Sequence, residues 1–217
     1  MYIPPSFHES RIEVMHDLIR LHPLGIIITG GAGGLMASSV PFLVYADEGT
    51  SGTLRAHVAR ANSHWHELGR VSECLVVFQG EQGYITPSWY PSKKTTHKVV
   101  PTWNYATVHA WGKPQIVEDV AWLRRLLEDL TNSQEHRRTQ PWKVGDAPSS
   151  FIETQMNAIV GFEIPIKRIE GKWKMSQNRP DPDRTGVVEG LRTDNDAHRN
   201  PGLAEMVAER LRAPRSL

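Results

Sequence analysis

The chain has 217 residues, with 25 Lys and Arg against 24 Asp and Glu and a formal net charge of +1. A charge this close to zero excludes a general electrostatic attraction to DNA, RNA or an anionic membrane, so any polyanion must bind to a local patch. The hydrophobic fraction of 39% and the charged fraction of 23% are those of a globular protein, and the length fits one domain.

The first part of the chain predicts a short helix. Ser6 and Glu9 have the spacing of a capping box, and apolar residues then recur at helical spacing over residues 12–21. No cationic stretch followed by an apolar segment precedes this helix, so the N-terminus does not resemble a secretion signal. The single cysteine, Cys74, lies in an apolar run and is predicted to be a buried structural thiol. Both observations favour a cytoplasmic protein.

A glycine-rich turn follows between two apolar runs, residues 25–29 and 35–46. The sequence TGGAGG, with Asp47 and Glu48 further on, also has the look of a dinucleotide-binding loop. Such a loop must open a helix, whereas the residues after the glycines are strand-like and include Pro41. The pattern therefore favours a β-hairpin over an NAD site.

The remaining pattern alternates between strands and helices. Strands are predicted at 53–59, 73–80, 83–90 and 101–112, with a short helix ending near Gly69 and a polar, basic loop over 91–98. Helices are predicted at 117–130 and, capped by Ser149 or Ser150, at 151–161. Strand character resumes over 162–176 with a turn at Glu170 and Gly171, and two helices begin near Asp181 and at Asn200 and Pro201.

Motifs for metal binding or covalent catalysis are missing from the sequence. Ten histidines are present, but there is no HExxH or CxxC motif, and His64 and His66 would point to different faces of a helix. No serine lies in a G-x-S-x-G elbow, and Cys74 has no activating partner nearby in sequence. We therefore predict no metal ligand and no catalytic residue.

Five segments together resemble the PaiB-like FMN-binding negative transcriptional regulator family. They are ASSVPFLV (37–44), HVARANSHW (57–65), YITPSWY (84–90), VPTWNYATVHAWG (100–112) and KMSQNRPDPDRTGVVEGL (174–191). The resemblance implies an α+β fold dominated by an antiparallel split β-barrel with peripheral helices, and a homodimer with FMN between the chains. It also implies one domain over 1–217 with a helical C-terminal extension over about 181–217.

The same resemblance implies a set of cofactor-binding residues. Arg60 is the leading candidate for the flavin phosphate, because a guanidinium binds phosphate through charge-assisted hydrogen bonds. The other candidates are Ser38, Ser39, Pro41, His57, Asn62, Trp103, Asn104, Tyr105, Gln177 and Asn178. An alternative interpretation makes VPTWNY a buried aromatic strand in which Asn104 satisfies a turn, and SQNR a polar clasp between helix and barrel.

Two functions are compatible with the resemblance. The first is a flavin-binding repressor of transcription, although no helix-turn-helix stands out and DNA would have to meet local basic residues: Lys93, Lys94, Lys98, Arg210, Arg212 and Arg215. The second is a flavin-dependent oxidoreductase or flavin reductase that acts on a small molecule. Whether haem replaces the flavin is open at this level.

Overall fold

The computed structural model describes residues 1–212, which divide into two compact units. The terminal unit consists of residues 1–10, 79–108 and 170–212, and the central unit of Arg11–Phe78 and His109–Ile169. The helices are α1 Ile12–Leu21, α2 His64–Leu68, α3 Lys93–Thr96, α4 Val120–Glu135, α5 Ser149–Asn157, α6 Asp181–Arg192 and α7 Pro201–Arg212. The strands are β1 His8–Glu9, β2 Leu24–Gly31, β3 Gly34–Pro41, β4 Leu43–Tyr45, β5 Thr53–Ala59, β6 Cys74–Ile85, β7 Thr102–Gly112, β8 Gln115–Val117, β9 Ile159–Pro165 and β10 Arg168–Lys174.

The fold is mixed α+β with antiparallel sheets. In the central unit the order β3–β2–β6 forms one sheet and β4–β5–β9–β8 forms another. β2 and β3 pair in register from Leu24 opposite Pro41 to Gly31 opposite Gly34, which confirms the hairpin predicted around the glycine-rich turn. Gly34 adopts φ +97°, a conformation that favours glycine at the tip of such a hairpin.

Aromatic side chains fill the core of the central unit. The ring of Phe42 packs edge-to-face against Phe78 and Phe162, with centroid separations of 5.6 and 5.9 Å. Gly25 on β2 makes this packing possible, because a Cβ there would lie 2.7 Å from the Phe78 ring. The buried face of α1, which includes Met15, confirms the predicted amphipathic helix.

The terminal unit contains the strand order β1–β10–β7–β6 together with α6 and α7. A Cβ on Gly190 of α6 would lie 2.3 Å from the Trp89 indole, and one on Gly186 would lie 2.0 Å from the Trp89 carbonyl oxygen. The missing side chains therefore let the segment that follows β6 approach α6 closely. Asn200 caps α7 by accepting a hydrogen bond from the Leu203 backbone N–H at 2.9 Å, as predicted.

Two predicted boundaries at the N-terminus and on β6 are wrong. Glu9 does not cap α1, because it lies in β1 opposite Gly171, where its buried carboxylate pairs with Arg210. The segments 73–80 and 83–90 are not two strands, since β6 runs unbroken to Ile85. Gly83 marks a close approach rather than a turn: a Cβ there would lie 2.9 Å from the Leu203 side chain.

Two further boundaries differ from the sequence pattern. The turn predicted at Glu170 and Gly171 lies at 166–167, because the pairing of β1 holds Gly171 in β10. Val117 belongs to β8 rather than to the helical stripe, and α4 begins after Asp119, whose carboxylate accepts a hydrogen bond from the Trp122 N–H at 2.7 Å. Within residues 1–212, no helix has the length and apolar character needed to cross a bilayer.

Candidate functional site

His64 lies at the centre of a buried polar cluster in the central unit. Its Nδ1 lies 2.8 Å from the Ser38 hydroxyl on β3, and its Nε2 lies 2.9 Å from the Thr29 hydroxyl on β2. Its backbone N–H donates to the Asn62 side-chain oxygen at 3.0 Å, and the Asn62 amide reaches Ser38 at 3.5 Å. The structure therefore brings together two candidates, Ser38 and Asn62, through a histidine that sequence reasoning considered only as a metal ligand.

Burial disfavours the charged form of the His64 ring. The residue is fully buried, and burial lowers its pKa while the Glu67 carboxylate opposes that shift. His66, in contrast, is exposed. The sequence signal for this difference was the position of His64 at the start of a short amphipathic helix, one turn before the buried Leu68.

The other candidate residues on β3, Ser39 and Pro41, lie on the opposite face of the strand from Ser38. Successive side chains of a strand point to opposite faces, so Ser38 shares the inner face with the buried Val40, whereas Ser39 and Pro41 are exposed on the other. Ser38 therefore joins the His64 cluster, and Ser39 does not. The exposed face of β3 offers the Ser39 hydroxyl to a ligand.

His57 on β5 has a buried ring nitrogen with no partner. Within the described residues, the Nδ1 atom neither accepts nor donates a hydrogen bond, and burial lowers the pKa of the His57 ring. A buried polar atom without a partner costs about 1–3 kcal/mol. A ligand that presents an N–H or hydroxyl group would offset this cost, which fits the polar edge of a flavin or its ribityl chain.

Arg60 makes three contacts that tie its segment to the central unit. Its Nη1 donates to Glu118 at 2.6 Å, and its Nε and Nη2 donate to the carbonyl oxygens of Asn157 and Ile159 at 3.1 and 3.2 Å. Its own carbonyl accepts from the Trp65 indole at 3.0 Å. Each guanidinium nitrogen thus already has an acceptor within the chain, although the group remains half-exposed.

Asn104 and the SQNR segment form a second group of candidates, in the terminal unit. The fully buried Asn104 exchanges hydrogen bonds with the Ser176 hydroxyl, at 2.9 and 3.3 Å. Gln177 accepts from the Met175 N–H and donates to the Trp173 carbonyl, both at 2.6 Å. These contacts join the loop after β10 to β7 and to β10 itself rather than to a helix, whereas Asn178 is exposed and stays accessible to a ligand.

Trp103 lines an open aromatic pocket of about 500 Å³ in the terminal unit. Its side chain is 47% exposed, and its indole N–H donates to the Gln82 side chain at 2.7 Å. The Tyr84 ring lies 6.3 Å from Trp103 and 4.7 Å from His198. Tyr84 was part of a motif but was not predicted to bind the ligand, and His198 had no signal in its sequence context.

Tyr105 lies on the same face of β7 as Trp103. Its ring contacts the Lys172 ammonium, with 5.1 Å from the nitrogen to the ring centroid. A cation over an aromatic face is an attractive contact, and it holds Lys172 against this strand. Both aromatic candidates of the VPTWNY motif are therefore accessible or paired with a cation, while the asparagine between them is buried.

Comparison with known proteins gives three concordant findings. The family described as "Putative FMN-binding domain" matches residues 1–168. The chain is 36% identical to the "Uncharacterized protein AN0679" of Emericella nidulans, over 88% of this chain and 90% of that protein. It is 29% identical to the Bacillus subtilis "Protease synthase and sporulation protein PAI 2", over 98% and 99% of the two chains.

A solved structure has the same fold. The FAD and heme binding protein of Mycobacterium smegmatis superimposes with a TM-score of 0.58, at 16% identity, over 77% of this chain and 73% of that one. At 16% sequence identity, this similarity supports a shared fold but not a shared ligand.

Proposed function

The chain belongs to the family of FMN-binding domains with FMN as its cofactor, and we propose that it is a split-barrel flavoprotein that acts as a negative transcriptional regulator of the PaiB type. The observation that carries the proposal is the match to the Bacillus subtilis sporulation protein along almost the whole of both chains. On this proposal the protein is a cytoplasmic homodimer, and residues 1–217 form one functional domain whose C-terminal helices are an extension of it.

The residues that we propose to contact the flavin fall into two sets. In the central unit they are Ser38, Ser39, Pro41, His57, Arg60 and Asn62, and in the terminal unit they are Trp103, Asn104, Tyr105, Gln177 and Asn178. The unpartnered Nδ1 of His57 supports the first set, since a ligand donor would satisfy it. The exposed Trp103 indole supports the second, because an aromatic face stacks on a planar ring.

Bound FMN supplies the electron-transfer chemistry of its isoalloxazine ring, and the protein supplies binding and orientation. In the His64 cluster, both ring nitrogens contact hydroxyl groups, and burial lowers the pKa of the ring. This arrangement holds the Ser38 hydroxyl and the Asn62 amide in fixed orientations.

A flavin-dependent oxidoreductase is the second candidate function. The observation that favours it is the open pocket lined by Tyr84, Trp103 and His198, which has room for a planar substrate. We place the oxidoreductase second, because the match to the Bacillus subtilis sporulation protein along almost the whole of both chains favours the regulator.

One experiment separates the two functions. The purified protein is expected to show a flavin absorption spectrum, and the released chromophore should be FMN rather than FAD or haem. The FMN-loaded protein is then mixed with cognate promoter DNA, with scrambled DNA, and with NADH or NADPH. Promoter binding without flavin reduction supports the regulator; rapid bleaching of the flavin absorbance by the nicotinamide without promoter binding overturns it in favour of the oxidoreductase.

A further inference from the structure

Three cationic side chains of the terminal unit form a group that we call the cation cluster: Lys172, Lys174 and Arg179. Lys172 and Lys174 are two residues apart on β10, and Arg179 lies in the loop that leads to α6. Within residues 1–212, none of the three forms an ion pair. The carboxylate near the cluster is that of the buried Asp183, which acts on Tyr90 as Arg179 does but is hydrogen-bonded to Ser92 rather than to one of the three cations.

The partners of these cations are neutral. Lys172 is only 9% exposed, and its ammonium group faces the rings of Tyr105 and Tyr2. The Lys174 ammonium donates to the Thr102 hydroxyl and, at 2.6 Å, to the Trp103 carbonyl oxygen. The Arg179 guanidinium lies 4.8 Å from the centre of the Tyr90 ring. Aromatic faces and carbonyl dipoles stabilise a cation only in part.

The three cations act on one another electrostatically. Burial lowers the pKa of Lys174, and the positive charges of Lys172 and Arg179 lower it further. Like charges at close range destabilise each other, and such groups mark sites where a charged ligand binds. A dianion bound among the three cations would replace their mutual repulsion with attraction to the bound anion.

Arg184, five residues after Arg179 in the sequence, is a further cation with incomplete pairing. Its side chain is 3% exposed, and only its Nη1 is paired, with Asp181 at 3.2 Å. Its Nε and Nη2 have no hydrogen-bond partner in the described chain. An incompletely paired guanidinium in the interior costs several kcal/mol unless another acceptor reaches it. Arg184 is in the first turn of α6, where the helix dipole also favours negative charge.

Taking the proposed flavin function as given, we propose that the cation cluster binds the phosphoryl group of FMN, with Arg184 strengthening the positive field at the start of α6. All four residues lie outside the segment 1–168 that the family comparison covers. The sequence pattern favoured Arg60 for this role, and the two assignments make different predictions. The guanidinium of Arg60 already bonds two carbonyl groups and a carboxylate, whereas no cation of the cluster forms an ion pair within the described residues.

The test compares FMN with riboflavin, which lacks the phosphate. Dissociation constants for both flavins are measured on the full, flavin-stripped chain by quenching of flavin fluorescence. Lys174→Met and Arg179→Met should each weaken FMN about tenfold or more and change riboflavin binding about twofold or less, because only FMN accepts their charge-assisted hydrogen bonds. Lys174→Arg, which keeps the positive charge, should bind FMN more tightly than Lys174→Met does. Lys98→Met, which removes an exposed lysine of the same unit, is the matched control and should change neither.

A third ligand, inorganic phosphate, distinguishes the source of the anion. Phosphate should raise the melting temperature of the flavin-free protein, and Lys174→Met and Arg179→Met should abolish that rise. If both variants keep the wild-type preference for FMN over riboflavin, the proposal is wrong, and loss of the phosphate effect alone would assign the cluster to free phosphate. Loss of the preference in Arg60→Met only would place the phosphate at Arg60. A wild-type chain that binds no flavin would instead overturn the proposed function itself.

Discussion

Asn104 and Ser176 satisfy each other's buried polar groups. The Asn104 amide nitrogen donates to the Ser176 hydroxyl at 2.9 Å, and that hydroxyl lies 3.3 Å from the Asn104 oxygen. Ser176 adopts φ +62°, the left-handed region, which places its side chain beneath β7 at the end of β10. The pair links the two motifs that carry the family resemblance, VPTWNY and SQNR.

This pair predicts a loss of stability when one partner is removed. Asn104→Ala leaves the Ser176 hydroxyl buried and unpaired, so we expect the free energy of unfolding to fall by about 1–3 kcal/mol. The measurement is denaturant unfolding in the absence of flavin. Ser176→Ala in the Asn104→Ala background should cost little more, since the unpaired hydroxyl is then gone. Unchanged stability together with a large loss of FMN affinity would show that Asn104 binds the ligand and that its pairing with Ser176 does not stabilise the fold.

Arg60 is expected to contribute to stability through the two carbonyl groups that it binds. Arg60→Ala should lower the free energy of unfolding by about 1 kcal/mol, because the carbonyl oxygens of Asn157 and Ile159 lose their charged donor. Glu118→Gln tests the ion pair alone and should have an effect of about 0.5 kcal/mol or less, since both side chains are well exposed. Equal effects of the two variants would mean that the ion pair is the main contribution.

The lowered pKa of His64 predicts that folding stability declines in mild acid. Its pKa is lowered in the folded chain, so the unfolded chain takes up the proton first as the pH falls below about 6.5. Folding stability should therefore be complete above that pH and fall below it. His64→Gln should make the decline shallower, with a residual slope from His57, whose pKa is also lowered. The exposed His66, changed to Gln, is the control; an identical slope in all three proteins would contradict a buried neutral His64.

The proposed shared flavin cleft predicts a homodimer. Light scattering coupled to size exclusion should give twice the 24.5 kDa of one chain for the FMN-loaded protein. Dilution should lower FMN affinity in parallel with dissociation of the dimer. A monomer whose mass is independent of concentration and that still binds FMN tightly would exclude a shared cleft.

DNA binding, if direct, should depend on a local basic surface, and we expect it to be weak. Lys93 and Lys94 are exposed on the short α3, whereas Arg210 is engaged with Glu9 and lies 5.6 Å from the Trp173 ring. Arg215 lies outside the described residues. Fluorescence anisotropy with promoter and scrambled DNA at rising salt measures both affinity and specificity.

The loop lysines allow a matched comparison for the same DNA experiment. Lys93→Ser combined with Lys94→Ser should reduce the salt dependence of any binding, while Lys143→Ser, an exposed lysine of the central unit, should not. A tight, promoter-specific complex at physiological salt that the double variant abolishes would show that the chain regulates transcription by direct contact with DNA.

The local elements were determined by the sequence to a large extent. The spacing of apolar residues in α1, the glycines between β2 and β3, and Asn200 before α7 each act through neighbouring residues, so their pattern is visible without a fold. The five motifs were equally informative about the cofactor, because together, and above all through VPTWNY and SQNR, they resemble the family that the comparison with known proteins shows.

Only the tertiary structure decided which polar groups meet. Ser38 and Thr29 reach His64 because the register of β2 and β3 directs both toward α2, and no spacing along the chain reveals that register. The sequence predicted that Glu9 caps α1, but Glu9 pairs with β10 and lies outside the helix. The unbalanced cations at 172–179 became visible only when the contacts of each side chain were known, since a charge is unpaired only with respect to its neighbours in space.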